Sequence, residues 1–149
     1  MPSQILVASD HGGLKLKSFL VAYLKKLGIG VKDLGTHSED SVDYPDYGLK
    51  LARAVAKNKS QKGILICKSG IGMSVTANKV RGVRAALCLN KKMAELSRLH
   101  TNSNVLVLGA QFVPPARARE ILAAWLNTSF EGGRHERRIK KITQYEEKR

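Results

Sequence analysis

The sequence predicts an α/β fold: a Rossmann-like, doubly wound, five-stranded parallel sheet in a three-layer α/β/α arrangement, followed by a C-terminal helical tail. Three observations predict it. Apolar blocks of strand length alternate with longer stretches whose apolar residues recur at three- and four-residue steps, through five rounds. The strand blocks are apolar along their whole length, which belongs to parallel strands covered on both faces. The chain has 149 residues, 43% hydrophobic, with 13 Gly against 4 Pro, enough for one domain with a real core and unlike a disordered, collagen-like or low-complexity chain.

The elements follow in order. Residues 5–8 read as the first strand, ended by Asp10-His11-Gly12-Gly13. Leu16, Phe19, Leu20, Tyr23, Leu24 and Leu27 then mark one face of a helix, and Gly28 stops it. The alternation continues with a strand over 31–34, a helix over 47–56, a strand over 64–67, a short helix over 73–78 and a strand over 84–89. A helix over 93–99, a strand over 105–108 and a helix over 116–125 complete the five rounds. Beyond about residue 128 the chain turns polar, and Ile139, Ile142 and Tyr145 at three-residue spacing predict a short amphipathic helix. Such a helix is too thin to fold alone and has to pack on its own domain or on a second subunit. Residues 1–149 thus read as a single domain with a tail over 128–149, without an internal repeat or a linker.

Composition narrows the function. The longest apolar runs, such as residues 105–108, fall far short of the roughly 20 residues that span a bilayer. Met1-Pro2-Ser3-Gln4 carries no basic segment and the apolar stretch after it is too short for a signal peptide, so the expected location is cytoplasmic. In that compartment Cys67 and Cys88 are expected to be free thiols. The net charge is +14, and residues 50–100 alone hold 12 basic side chains against one acidic. Such a segment concentrates anions, phosphorylated metabolites and nucleic acids alike. No aromatic residue occurs between Tyr47 and Phe112, which removes the stacking platforms of single-strand binders and counts against a nucleic-acid partner.

Ligands of open parallel sheets sit outside the carboxyl ends of the strands. There the sequence has Asp10-His11-x-Gly13, Cys67-Lys68-Ser69-Gly70-Ile71-Gly72 and Gly109-Ala110-Gln111. Ser69, Gly70, Ile71 and Gly72, between a strand and a helix, can aim several amides at one anion. They can equally be a tight βα turn that uses Gly for positive φ. They form neither a P-loop, for want of Gly-Lys-Ser/Thr, nor a dinucleotide fingerprint, since Val75 stands where the third Gly belongs. Cys67, beside these amides and Lys68, is in surroundings that favour a thiolate base or nucleophile, although a buried Cys is also an ordinary small hydrophobe. Cys88, within an apolar run, reads as core. His11 and His100 stand near strand ends as candidates or as plain surface residues, and His37 in an acidic loop reads as solvated. No short His or Cys spacing has a metal signature, so no metal is expected. Arg134 and Arg138 share a helical face and can fork onto phosphate, or belong to a solvated basic tail.

Taken together, these segments resemble the ribose-5-phosphate isomerase B family, whose relatives include the galactose-6-phosphate isomerase subunits. The resemblance rests on Ser9-Asp10-His11-Gly12-Gly13, Asp43-Tyr44-Pro45, Gly63 to Cys67 with Ser69-Gly70-Ile71-Gly72, Ala77-Asn78-Lys79 with Gly82-Val83-Arg84-Ala85, His100 with Asn102 and Asn104, and Gly132-Gly133-Arg134-His135 with Arg138. It implies an aldose–ketose isomerase that interconverts ribose 5-phosphate and ribulose 5-phosphate through an enediol(ate), in a homodimer with shared active sites; pairing of dimers into tetramers stays open. By the same resemblance Cys67 would be the base, Ser69 a proton carrier between the sugar oxygens and His100 the ring opener. Asp10 would assist opening, Tyr44 would hold a hydroxyl, and Asn102 would touch the sugar. The phosphate clamp would be His11, Arg134 and Arg138, with the arginines reaching into the other subunit's pocket from a tail packed on the partner.

The chain departs from the family pattern at Lys68, where Gly is usual, at Gln111, where many members have Arg, and at Thr101, where Asn is common. A proton shift between adjacent carbons needs no electron sink, so no cofactor is expected. Two other readings remain: an isomerase of a six-carbon sugar phosphate such as allose 6-phosphate or galactose 6-phosphate, and a non-catalytic anion or RNA binder using the basic middle segment.

Overall fold

The computed structural model describes residues 4–148; Met1, Pro2 and Ser3, on which the leader reading partly rests, and Arg149 lie outside the described residues. The elements are β1 (Gln4–Ser9), α1 (Leu14–Lys26), β2 (Gly30–Asp33), α2 (Tyr44–Ala56), β3 (Lys62–Cys67), α3 (Ile71–Ala77), β4 (Ala85–Leu87), α4 (Lys91–Thr101), β5 (Val105–Gly109), α5 (Pro115–Asn127) and α6 (Arg134–Glu147). A 3-10 turn, His11–Gly13, joins β1 to α1.

All five strands are parallel, in the order β2-β1-β3-β5-β4. Two core clusters lie on the two faces. One joins α1, α4 and α5 to Ile5, Val7, Ile64, Ile66, Leu106 and Leu108; the other joins α2 and α3 to Leu6, Ala8, Leu65, Cys67, Val105 and Val107. Alternate residues of each central strand therefore feed opposite layers, and their continuous apolar sequence follows directly.

Two elements differ from the periodicity. Helix α2 starts at Tyr44, three residues before the expected position, because Pro45 sits in its first turn, where a missing N–H costs nothing. Strand β4 spans three residues rather than six, since at the edge of the sheet only β5 pairs with it. Helix α4 is capped by Asn90, whose side chain accepts from the Met93 amide, and ends at Asn102 in the left-handed region with φ 48°.

The tail docks on its own chain at a few points. The Glu131 amide donates to the Leu99 carbonyl, and the Gly82 amide donates to the Glu146 carboxylate at 3.2 Å. Ile142 and Tyr145 on α6 remain 50% and 64% exposed. Among the described residues no helix is long and apolar enough to cross a membrane.

Candidate active site

In the order β2-β1-β3-β5-β4 the chain winds outward in two directions from β1 and β3, so the switch point lies between them. Their carboxyl ends carry Asp10-His11 and Cys67-Lys68-Ser69. The backbones are locked together there: the Asp10 amide donates to the Ile66 carbonyl, the Ala110 amide to the Cys67 carbonyl and the Gln111 amide to the Lys68 carbonyl.

Each side chain at this pole has a defined setting. Asp10, 7% exposed, caps the 3-10 turn by accepting the Gly13 amide at 3.1 Å. His11 accepts the Val42 amide on Nδ1 at 3.1 Å. A neutral imidazole that accepts on Nδ1 carries its proton on Nε2, so His11 offers a donor on its other side. Cys67 is a buried free thiol at the end of β3, and the Gly70 amide donates to its Sγ at 3.2 Å. That donor is better satisfied by a thiolate than by a thiol. The Ser69 hydroxyl accepts the Ile71 amide at 3.2 Å and keeps its own O–H to donate.

The loop's shape depends on Gly70, at φ +79°, where a Cβ would meet Leu87 Cδ1 at 2.6 Å. The first helical bond of α3 runs from the Ser74 amide to the Gly70 carbonyl. Of the four expected nest amides, Gly70 and Ile71 are thus committed to Cys67 and Ser69, while the Gly72 amide, and the Met73 amide after it, lie in the first turn of α3 without intrahelical acceptors. The Tyr44 ring lies directly against Gly72, where a Cβ would come within 2.5 Å of it. A thiol, a hydroxyl, a carboxylate, an imidazole and free amides around one loop form a set able to move protons on a small polar ligand.

The remaining candidates stand elsewhere. His100 and Asn102 end α4 just ahead of β5, and the Gly63 amide bonds the Asn104 carbonyl at the opposite, amino-terminal edge of the sheet. From there to Gly109, which is level with Cys67, β5 runs about 16 Å at the usual rise per residue. Arg134 and Arg138 open α6 near the same pole and are exposed. Asn102 uses its side-chain oxygen to accept from Arg98 at 3.0 Å. One chain therefore does not bring His100, Asn102, Arg134 and Arg138 to Cys67.

At this second pole His100 and His135 stack, with centroids 4.1 Å apart and planes at 14°. Glu131 Oε2 lies 3.9 Å from His100 Nε2 and 3.6 Å from His135 Nε2. Burial, with the His100 and Arg134 charges beside it, pushes His135 below the ordinary imidazole range, and its Nε2 is buried without a hydrogen bond. The three donor atoms lie within 4.8 Å of one another. Nearly parallel rings aim their lone pairs side by side rather than at one point, so this reads as a stacked imidazole pair beside a carboxylate, not as a metal centre. Glu131 was missed in the sequence; its i,i+4 spacing to His135 was the available signal. Cys88 is buried in the core as expected, and burial pushes its thiol up to about 11.

The fold and this pole define a doubly wound α/β enzyme whose switch point carries acid–base groups for a small-molecule ligand. The chain belongs to the ribose/galactose isomerase family, whose profile matches residues 5–142. It is 43% identical to ribose-5-phosphate isomerase B of Escherichia coli, over 98% of this chain and 98% of that one. The structure of ribose-5-phosphate isomerase B from Clostridium thermocellum superposes with a TM-score of 0.95 at 48% identity, covering 97% and 98% of the two chains. The enzyme of the same name from Mycoplasma genitalium, solved with bound ribulose 5-phosphate, gives a TM-score of 0.95 at 45% identity over 98% and 97%.

Proposed function

We propose that this protein interconverts ribose 5-phosphate and ribulose 5-phosphate. The observation that carries the reading is the Cys67 thiol at the β1/β3 switch point with an amide donor on its sulfur. The thiolate takes the proton from C2 of the open-chain aldose, leaving an enediolate with its charge on O1. The Gly72 and Met73 amides stabilise that oxygen. Ser69 relays a proton from O2 to O1, and Cys67 returns its proton to C1, giving the ketose; no atom or electron is lost. Asp10 and Tyr44 hold hydroxyls, and His11 donates from Nε2 to the phosphate. The reaction needs no redox cofactor.

The other half of the machinery comes from a second copy of the chain. His100 would open the furanose ring, and Arg134 and Arg138 would fork onto the phosphate, only if contributed across a dimer. The distance of about 16 Å between the poles supports this reading. So do large apolar residues exposed on α3 (Ile71, Val75), on α4 (Met93, Leu96) and on α6 (Ile142, Tyr145), which a homodimer would cover.

The test is turnover of ribose 5-phosphate by purified protein with metals chelated, beside allose 6-phosphate and galactose 6-phosphate. Preferred turnover of ribose 5-phosphate is expected. A higher kcat/KM on a six-carbon sugar would move the assignment to that substrate. No turnover on any of the three, together with strongly salt-dependent RNA binding, would replace catalysis by anion binding.

A further inference from the structure

We propose that Lys68 supplies, from within its own subunit, the fixed positive charge that anchors the substrate's phosphate. The proposal rests on the sugar-phosphate reading above and adds a residue to it. A cleft of about 400 Å³ opens beside the Cys67 loop, lined by Asp10, His11, Gly12, Lys68, Ala110 and Gln111. Of these six, Lys68 alone carries a permanent positive charge, and Asp10 contributes a carboxylate. A dianionic phosphate entering the cleft meets that carboxylate, and a cation facing the same space offsets the repulsion.

The base of Lys68 is held and its head is not. Its carbonyl accepts the Gln111 amide at 2.8 Å, and its Cβ faces Gly12 so closely that a Cβ added there would lie 3.2 Å from it. Its ammonium has no hydrogen-bond or ion-pair partner among the described residues, although Asp10 is close by; the Asp10 carboxylate is engaged by the Gly13 amide. An unpaired cation rooted in a rigid loop, with a flexible four-carbon stem, suits a phosphate as a point charge. The neighbouring His11 donates from Nε2, so the two residues give the anion one charged and one neutral donor. Lys68 directly follows Cys67, whose side chain is buried in the opposite face of the sheet among the α2 and α3 residues. Cys67 and Lys68 are consecutive, so the proposed base and the phosphate anchor stand next to each other on one short loop.

The test is steady-state kinetics and phosphate titration by calorimetry on the full-length protein. Lys68→Met is expected to raise KM for ribose 5-phosphate roughly tenfold, with kcat held within about twofold, and to weaken competitive inhibition by inorganic phosphate by the same factor. Lys68→Arg should stay near wild type. The double exchange Lys68→Met with Gln111→Lys, which moves the cation across the cleft, should recover most of the lost affinity. Unchanged KM and phosphate inhibition in Lys68→Met would overturn the proposal. A fall in kcat at constant KM would overturn it too, because Lys68 would then act on Cys67. If wild type binds phosphate through Lys68 but isomerises no sugar, the proposal stands and the isomerase reading fails.

Discussion

The two ends of the sheet are built differently. At the carboxyl end, the strand termini hold Asp10, His11, Cys67 and Ser69 through backbone bonds between neighbouring strands, so the geometry is set by the sheet itself. At the amino end, His100, Glu131 and His135 are gathered from a helix terminus, a loop and the tail helix. They are held by a ring stack, with the Glu131 carboxylate 3.6 Å from the His135 ring. The first end carries a thiol, a hydroxyl, a carboxylate and amides; the second carries imidazoles and guanidiniums. A rigid scaffold positions the first set, while the second is more loosely assembled, as its proposed delivery to a neighbouring copy would need.

The largest expected effect falls at the first end. Cys67→Ala should lower kcat by roughly 10² to 10⁴, the usual contribution of a positioned base, with circular dichroism and phosphate binding unchanged. Wild-type-like turnover would remove Cys67 from the chemistry. Next comes complementation between the ends: Cys67→Ala and His100→Ala proteins, each impaired alone, should regain roughly a quarter of wild-type activity when unfolded and refolded together, since half of the random pairs carry one intact shared site. No recovery would mean that each chain works with its own residues.

Smaller effects sharpen the picture at the second end. Arg138→Ala should raise KM roughly tenfold and weaken inhibition by phosphate, as expected for a lost charge-assisted contact; unchanged inhibition would place the clamp elsewhere. The smallest effect concerns pH. His135 is held below its ordinary value of 6.5 by burial and by its cationic neighbours. The unfolded chain therefore binds this proton first, and the stability that depends on a neutral His135 is full above about pH 6.5 and lost as pH falls towards the folded value. Urea midpoints measured from pH 8 to 5 should decline more steeply for wild type than for His135→Gln, and parallel slopes would contradict the assignment.

Much of this was legible in the residues themselves. Continuous apolar strands, three-and-four helical periods and Gly at the turns are local patterns, so they specified the parallel three-layer fold, the core role of Cys88 and the loop that holds Cys67. Element ends were less legible where one residue or one neighbour decided them, as Pro45 does for α2 and the sheet edge does for β4. What only the tertiary structure decided is separation and convergence. Residues 67 and 100 both carry side chains able to transfer protons, but a helix that returns antiparallel to its strand leaves them at opposite edges of the sheet, and no local pattern carries that distance. Lys68, His11 and Gln111 meet in one cleft because β1, β3 and β5 end side by side, and Glu131 reaches His100 because the tail folds back on α4. Sequence encodes periodicity within a segment; which segments end together depends on strand order and on the direction of each return, and these are fixed only when the whole core packs.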